Sequence, residues 1–276
     1  MTTTIQPIDL AKIIQDGNRN GLRQWLRQGG DPNVRLPGGD CPIHLAADAF
    51  EDWAIKILAN GGADLEALDH NGLTALGIAA EWGVPYVITT LVKCGARIET
   101  PDKHNLTAMS RAIGLGKADS ILCLMELGAQ FNPRDVGELW SNVSSQITAE
   151  RLLDAGMGVM DCDEEGKSAL WWAAHHGYPR LCKRLMALGL DPNQPDTNGQ
   201  TPLMEAAECG CTTAVRALLA GGADPDRKND NGLSARDLAH KEQHQDVLRE
   251  FSRHQRNQLA RQVQGTHARA KTRRAM

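Results

Sequence analysis

His175 and His176 stand side by side, with Cys162 and Cys182 within reach in sequence and Cys209-x-Cys211 further on. Histidine and cysteine together suggest a soft or borderline metal. The spacing argues against one. Adjacent residues on a helix point about 100° apart, so the two imidazoles do not share a face as an i, i+4 pair would. No Cys-x-x-Cys pair accompanies them, and Cys-x-Cys alone is too little for a zinc site. No Gly-x-x-x-x-Gly-Lys loop, serine elbow or His-Glu-x-x-His occurs. The carboxylates are scattered through turns, where solvated acids are common. The reading is therefore not an enzyme, with no catalytic residues, no metal and no cofactor. An unrecognised active site, or a residue contributed in trans to another enzyme, is the remaining catalytic alternative.

The elements that must carry these residues repeat. A glycine closes a helical stretch at Gly29, Gly62, Gly95, Gly128, Gly156, Gly189 and Gly222; each interval is 33 residues except one of 28. A fixed period of this size signals stacked modules. A second marker keeps step: Asn71-Gly72-Leu73-Thr74-Ala75, Glu165-Gly166-Lys167-Ser168-Ala169, Asn198-Gly199-Gln200-Thr201-Pro202 and Asn231-Gly232-Leu233-Ser234-Ala235, with Asn105 in the glycine place of its copy. The glycine permits positive φ in a tight turn, and the Thr or Ser two places on is a good N-cap. Pro42 and Pro202 follow as first-turn prolines, and Pro85 and Pro179 open second helices. Aliphatic residues then recur at helical spacing, as in Leu181, Leu185 and Met186, or Val215, Leu218 and Leu219. Ala46, Ala79, Ala112, Ala173, Ala206 and Ala239 recur on the first helix, which implies close approach by a neighbour. Each unit reads as turn, helix, short turn, helix, glycine stop.

This pattern resembles the ankyrin repeat family. The residues that carry the likeness are Cys41-Pro42-Ile43-His44-Leu45-Ala46-Ala47, Thr201-Pro202-Leu203-Met204-Glu205-Ala206-Ala207, Gly62-Ala63-Asp64 and Gly222-Ala223-Asp224-Pro225-Asp226, with Asp31-Pro32-Asn33 and Asp191-Pro192-Asn193. The likeness covers about residues 8 to 251. It implies an all-α repeat solenoid of paired antiparallel helices joined by β-hairpin-like turns. Aromatic residues make up only 4% of the chain, so the core should be thin and the interfaces between repeats should dominate stability.

The period also fixes the organisation. Residues 1–35 read as an N-terminal cap, with Leu10, Ile13, Ile14, Leu22, Trp25 and Leu26 on two short helices around Gly17-Asn18. Residues 36–134 and 163–228 are regular repeats, and 229–251 is a C-terminal cap. Residues 135–162 are a degenerate repeat that lacks five residues before Asp135 and places Trp140 where its neighbours have alanine. Both helices should survive there and the projecting turn should be lost. Trp140 should force the stack apart or be redirected. It marks either tolerated drift or a break that shapes a groove.

Residues 252–276 form a basic tail, helical or disordered. It holds seven Arg or Lys and no acid, in a chain whose net charge is −4, so the body carries −11. Residues 246–263 could extend the last helix, and the segment beyond Gly265 reads as disordered. A solvated tail is the plain reading. An acidic protein, nucleic acid or a membrane surface are the alternatives. With no aromatic beyond Phe251, stacking on single strands is not expected.

The resemblance implies a non-catalytic scaffold that holds a protein partner on a concave face lined by turn tips and first-helix ends: an adaptor, inhibitor, immunity or effector-associated protein. The alternative is a structural subunit that joins a larger assembly through its basic tail. Mapped onto this chain, the partner-binding candidates are His70, Asn71, Leu73, Glu81, Trp82, Lys103, His104, Leu106, Trp140, Lys167, His175, His176 and Glu208. Trp82 leads, because interface hot spots favour aromatic anchors. Trp171 and Trp172 are expected to pack between repeats. No stretch approaches the roughly 20 apolar residues of a transmembrane helix, and the first residues lack a signal-peptide pattern. The seven cysteines are odd in number and lie mostly in apparent helices. A cytoplasmic location is expected, which leaves open delivery into another cell's cytoplasm through a non-classical secretion route.

Overall fold

The computed structural model describes residues 7–130, 135–143, 145–157, 159 and 162–274; for 7–9, 136, 137 and 261–274 it describes the backbone. Among these residues the structure is all-α, with sixteen helices and no strand longer than an isolated bridge. The chain divides into two compact units, residues 1–144 with 154–156 and residues 145–153 with 157–276.

In the first unit four helix pairs follow one another: α1 (Pro7–Gln15) with α2 (Arg19–Arg27), α3 (Pro42–Asp48) with α4 (Asp52–Asn60), α5 (Ala75–Trp82) with α6 (Pro85–Lys93), and α7 (Ala108–Gly114) with α8 (Ala118–Glu126). α9 (Val136–Asn142) packs on α7. First helices pack on first helices, and second helices on second helices. The second unit repeats the scheme with α10 (Gln146–Asp154), α11 (Ala169–His175), α12 (Pro179–Ala187), α13 (Pro202–Glu208), α14 (Thr212–Ala220), α15 (Ala235–Lys241) and α16 (Gln245–Arg274).

Local chemistry accounts for these elements. The side-chain oxygens of Thr74, Thr107, Ser168, Thr201 and Ser234 accept backbone N–H groups in the first turn of their helices, satisfying donors that the helix itself leaves unpaired. Every closing glycine has positive φ, from 87° to 105°. All six recurring alanines are at most 1% exposed. A larger side chain there would have to displace the neighbouring repeat, at a cost of about 1–3 kcal/mol.

The tips are tied together by a residue type the sequence reading did not single out. Asp102, Asp163 and Asp196 each accept two backbone N–H bonds within their own turn, as does Asn229. Successive tips are also linked, through Lys103 N–H to Gly72 carbonyl (3.0 Å), Thr197 N–H to Glu165 carbonyl (2.9 Å) and Asp230 N–H to Asn198 carbonyl (3.2 Å).

The shortened repeat keeps both helices, α9 and α10. Part of its missing turn, 131–134, lies outside the described residues. Asp135 stands in the N-cap place but caps nothing with its side chain. Its carboxylate instead accepts the Ser110 hydroxyl at 2.6 Å. Trp140 is buried, at 1% exposure. It is therefore corrected from a partner-binding candidate to a core residue: α9 turns the indole inward. The tail also differs from expectation. α16 continues through Gly265 to Arg274, in keeping with a segment rich in Arg and Gln and free of proline. Ala275 and Met276 lie outside the described residues.

Candidate protein-binding face

In the first unit the candidates collect around Trp82, the last residue of α5. Its side chain is 57% exposed, yet it is held. The indole N–H donates to Asp48 Oδ1 at 2.9 Å, and the ring meets Phe50 edge-on at 5.9 Å. Phe50 lies in the turn between α3 and α4 with φ of 59°, where the later repeats use Gly83, Gly116, Gly177 and Gly210. A phenylalanine in the left-handed region costs about 1–2 kcal/mol. Tyr86, 56% exposed, donates its hydroxyl to the Phe50 carbonyl at 3.1 Å. Thus Phe50 supports two exposed aromatics from the next repeat. Sequence reasoning singled out Trp82 but neither Phe50 nor Tyr86.

Beside Trp82 lies a notch of about 230 Å³ whose walls include Asp40, Asp48, Asp69, His70 and Glu81. Its rim is acidic and ordered. His70 Nδ1 and backbone N–H both reach Asp40 Oδ1, at 2.8 and 3.0 Å. Partial burial works against the Asp40 carboxylate, but the His70 hydrogen bonds and charge outweigh it and lower its pKa. The same bond raises that of His70. Glu81 pairs with Arg111 at 2.5 Å, and Arg111 also pairs with Asp102. His44 faces the notch but serves the fold. It accepts Cys41 N–H at 2.9 Å and its Nε2 lies 2.8 Å from the Ala67 carbonyl; burial lowers its pKa.

Of the other candidates in this unit, Asn71, Lys103, His104 and Leu106 are exposed on the tips. Leu73 is only 7% exposed. It is mostly buried in its turn, where it lines the notch beside Trp82.

In the second unit the candidates form a different surface. Trp171 is buried and Trp172 half-buried. Lys167 Nζ lies 4.7 and 5.2 Å from their ring centroids, and the Trp172 indole donates to Asp163 Oδ2 at 3.1 Å. The rings continue through His175, His176 and Tyr178, with His175 stacked on Trp171 at 9°. His175 Nδ1 is 2.7 Å from Glu205 Oε1, and Gln200 donates to both Glu205 (3.1 Å) and Glu208 (2.6 Å). Cys209 completes the group. Desolvation of its sulfur and the Glu205 charge push the thiol up to about 12. The structure does not join His175 to Cys162 or Cys182; it brings Glu205 and Cys209 from the next repeat.

Among the described residues no helix is long and apolar enough to cross a membrane. A family model for ankyrin repeats, in three copies, matches residues 10–102, 43–135, 142–229 and 176–259. Among solved structures the chain is similar to the crystal structure of the ankyrin repeat domain of Bcl-3, a unique member of the IkappaB protein family. The TM-score is 0.51 and the identity 22%, over 88% of this chain and 97% of that one. Ankyrin repeats are general protein–protein interaction modules. With turns, caps, glycine stops and family model in register over nearly all its length, the chain belongs to the ankyrin repeat family.

Proposed function

We propose that the protein is a non-catalytic interaction scaffold that binds a protein partner on the concave face of its first unit, with Trp82 as the anchor. The observation that supports this is an exposed indole already fixed in place by Asp48 and Phe50. Fixing a side chain before binding removes part of the ordering cost of association. The acidic walls beside it suit a partner that offers a basic side chain next to an apolar one. An adaptor or inhibitor role in the cytoplasm fits this reading, and the seven cysteines, all free, are in keeping with a reducing compartment.

The test is capture of partners from the native source by the full chain and by Trp82→Ala, followed by affinity measurement on the purified pair. Loss of a hot-spot aromatic costs about 2 kcal/mol or more, roughly 30-fold in Kd. Unchanged affinity in a folded Trp82→Ala variant would sink the reading.

One observation favours the assembly alternative. Among the described residues Phe251 is the last buried one of α16, and Leu259 beyond it is 55% exposed on a helix that continues to Arg274. Removing 252–276 would abolish assembly if that reading holds, and would leave Trp82-dependent binding intact.

A further inference from the structure

We propose that His175, Glu205 and Cys209 form a three-ligand binding site for a zinc-class divalent cation on the second unit. The three donor atoms are mutually close: Nδ1 to Oε1 is 2.7 Å, Sγ to Oε1 is 3.2 Å and Sγ to Nδ1 is 3.6 Å. Donors on a tetrahedral ion with bonds of about 2.0–2.3 Å stand roughly 3.3–3.6 Å apart. Two of the three edges already lie near that range. The third needs the His175–Glu205 contact, 2.7 Å, to open by roughly 0.6 Å or a little more, and the ion would replace that bond with two stronger ones.

The surroundings orient the donors. Glu205 and Cys209 are four residues apart, so they lie on one face at the end of α13. Glu205 is 8% exposed, and its other oxygen, Oε2, accepts Gln200 Nε2 at 3.1 Å. Such an outer bond fixes a liganding carboxylate. His175 lies flat against Trp171, which fixes the imidazole plane. Nitrogen and sulfur among the donors exclude calcium and magnesium, which take oxygen, and select a borderline ion such as Zn²⁺. Charge balances as well. When the ion binds, the Cys209 thiol proton leaves to solvent as the sulfur–metal bond forms, and the proton that His175 Nδ1 shares with Glu205 is exchanged through solvent to Nε2, which frees the Nδ1 lone pair for the ion. The resulting thiolate and the Glu205 carboxylate then neutralise the two positive charges, with His175 neutral. Cys209 is exposed, so the fourth position opens to water.

The probe is Co²⁺, titrated into the reduced full chain at neutral pH and then displaced with Zn²⁺. The expected result is one equivalent bound, with a thiolate-to-cobalt charge-transfer band in the near ultraviolet. Cys209→Ser should abolish that band with the fold unchanged by circular dichroism. His175→Ala should weaken binding by about tenfold or more. His70→Ala, which disrupts the cluster of half-buried Asp40 and Asp69 with exposed His70 in the first unit, should leave the band as it is, and so should Cys211→Ser. The proposal is overturned if the band is absent from the native chain. Persistence of the band in Cys209→Ser, or its loss in Cys211→Ser alone, overturns it too.

Discussion

Gly199 and Gly232 occupy the same place in successive tips and share a φ of 74°, yet their surroundings differ. A Cβ on Gly199 would lie 2.7 Å from Asp230 Oδ1, 3.0 Å from Asp230 N and 3.2 Å from Asn229 Cα; a Cβ on Gly232 would meet nothing within 4 Å. Alanine at either position must adopt left-handed backbone, which costs about 1–2 kcal/mol. Stiffening the unfolded chain returns about 0.4–1 kcal/mol of that. Gly232→Ala should therefore lose about 1 kcal/mol. Gly199→Ala carries the same loss and must also push the next tip away, straining the Asp230 N–H bond to the Asn198 carbonyl. Overpacking of this kind adds about 1–3 kcal/mol, for a total of about 2–4 kcal/mol. Urea unfolding of the full chain, followed by circular dichroism, measures both. The two sites lie in one compact unit, so they report on the same transition, provided the slopes with denaturant agree. Equal losses for the two variants would refute the claim that stacking of tips, beyond the turn itself, stabilises this unit.

The Asp40–His70 pair should leave a signature in pH. The raised pKa of His70 means that its contribution is complete below the ordinary histidine value, about 6.5, and fades as pH rises through the raised value. Asp40, lowered, contributes above its ordinary value, about 3.9, and fades as pH falls through its lowered value. Asp40→Asn should thus depress Tm more at pH 5.5 than at pH 8.5, and should lower the His70 midpoint followed by NMR; a midpoint that does not move would refute the pairing. At the other end of the chain, Phe251 is 2% exposed under the Arg236 guanidinium, 5.7 Å away. Phe251→Ala should cost about 3–5 kcal/mol in urea unfolding, and a loss below about 1 kcal/mol would show that α16 does not cap the stack.

The regular parts of the fold were legible because each rests on a local rule with few exceptions. Thr74 or Ser168 two places after a turn glycine caps a helix whatever surrounds it. Burial of individual tip and helix residues was less legible, because it depends on the neighbouring repeat. Leu73 and Leu106 stand at equivalent places, yet one is 7% and the other 39% exposed. Trp140 breaks the alanine pattern in a repeat whose turn is shortened, so its register predicts its location on the helix but not the space that receives it. Phe50 was invisible for the opposite reason: it stands at a glycine register, and nothing local shows that a phenylalanine there would take glycine's conformation.

The groups with chemistry follow a rule that the period contains but does not announce. Helical side chains pair with residues 30 or 34 places further on. Asp48 meets Trp82, Thr89 meets Cys123, and Arg216 meets Glu250, each 34 apart; Glu81 meets Arg111, 30 apart. These two separations flank the 33-residue repeat and differ by four, one helical turn. A side chain in one repeat therefore faces two residues on a single face of the next helix. His175 uses both positions, Glu205 at 30 and Cys209 at 34. A search for ligand pairs within one helix sees only His175 beside His176 and finds them 100° apart. The same search carried across the repeat interface finds a carboxylate and a thiol stacked one turn apart opposite the imidazole. In a stacked fold the chemically competent spacing is the repeat length plus or minus part of a turn, and the short motifs that mark sites in globular enzymes are the wrong ruler for it.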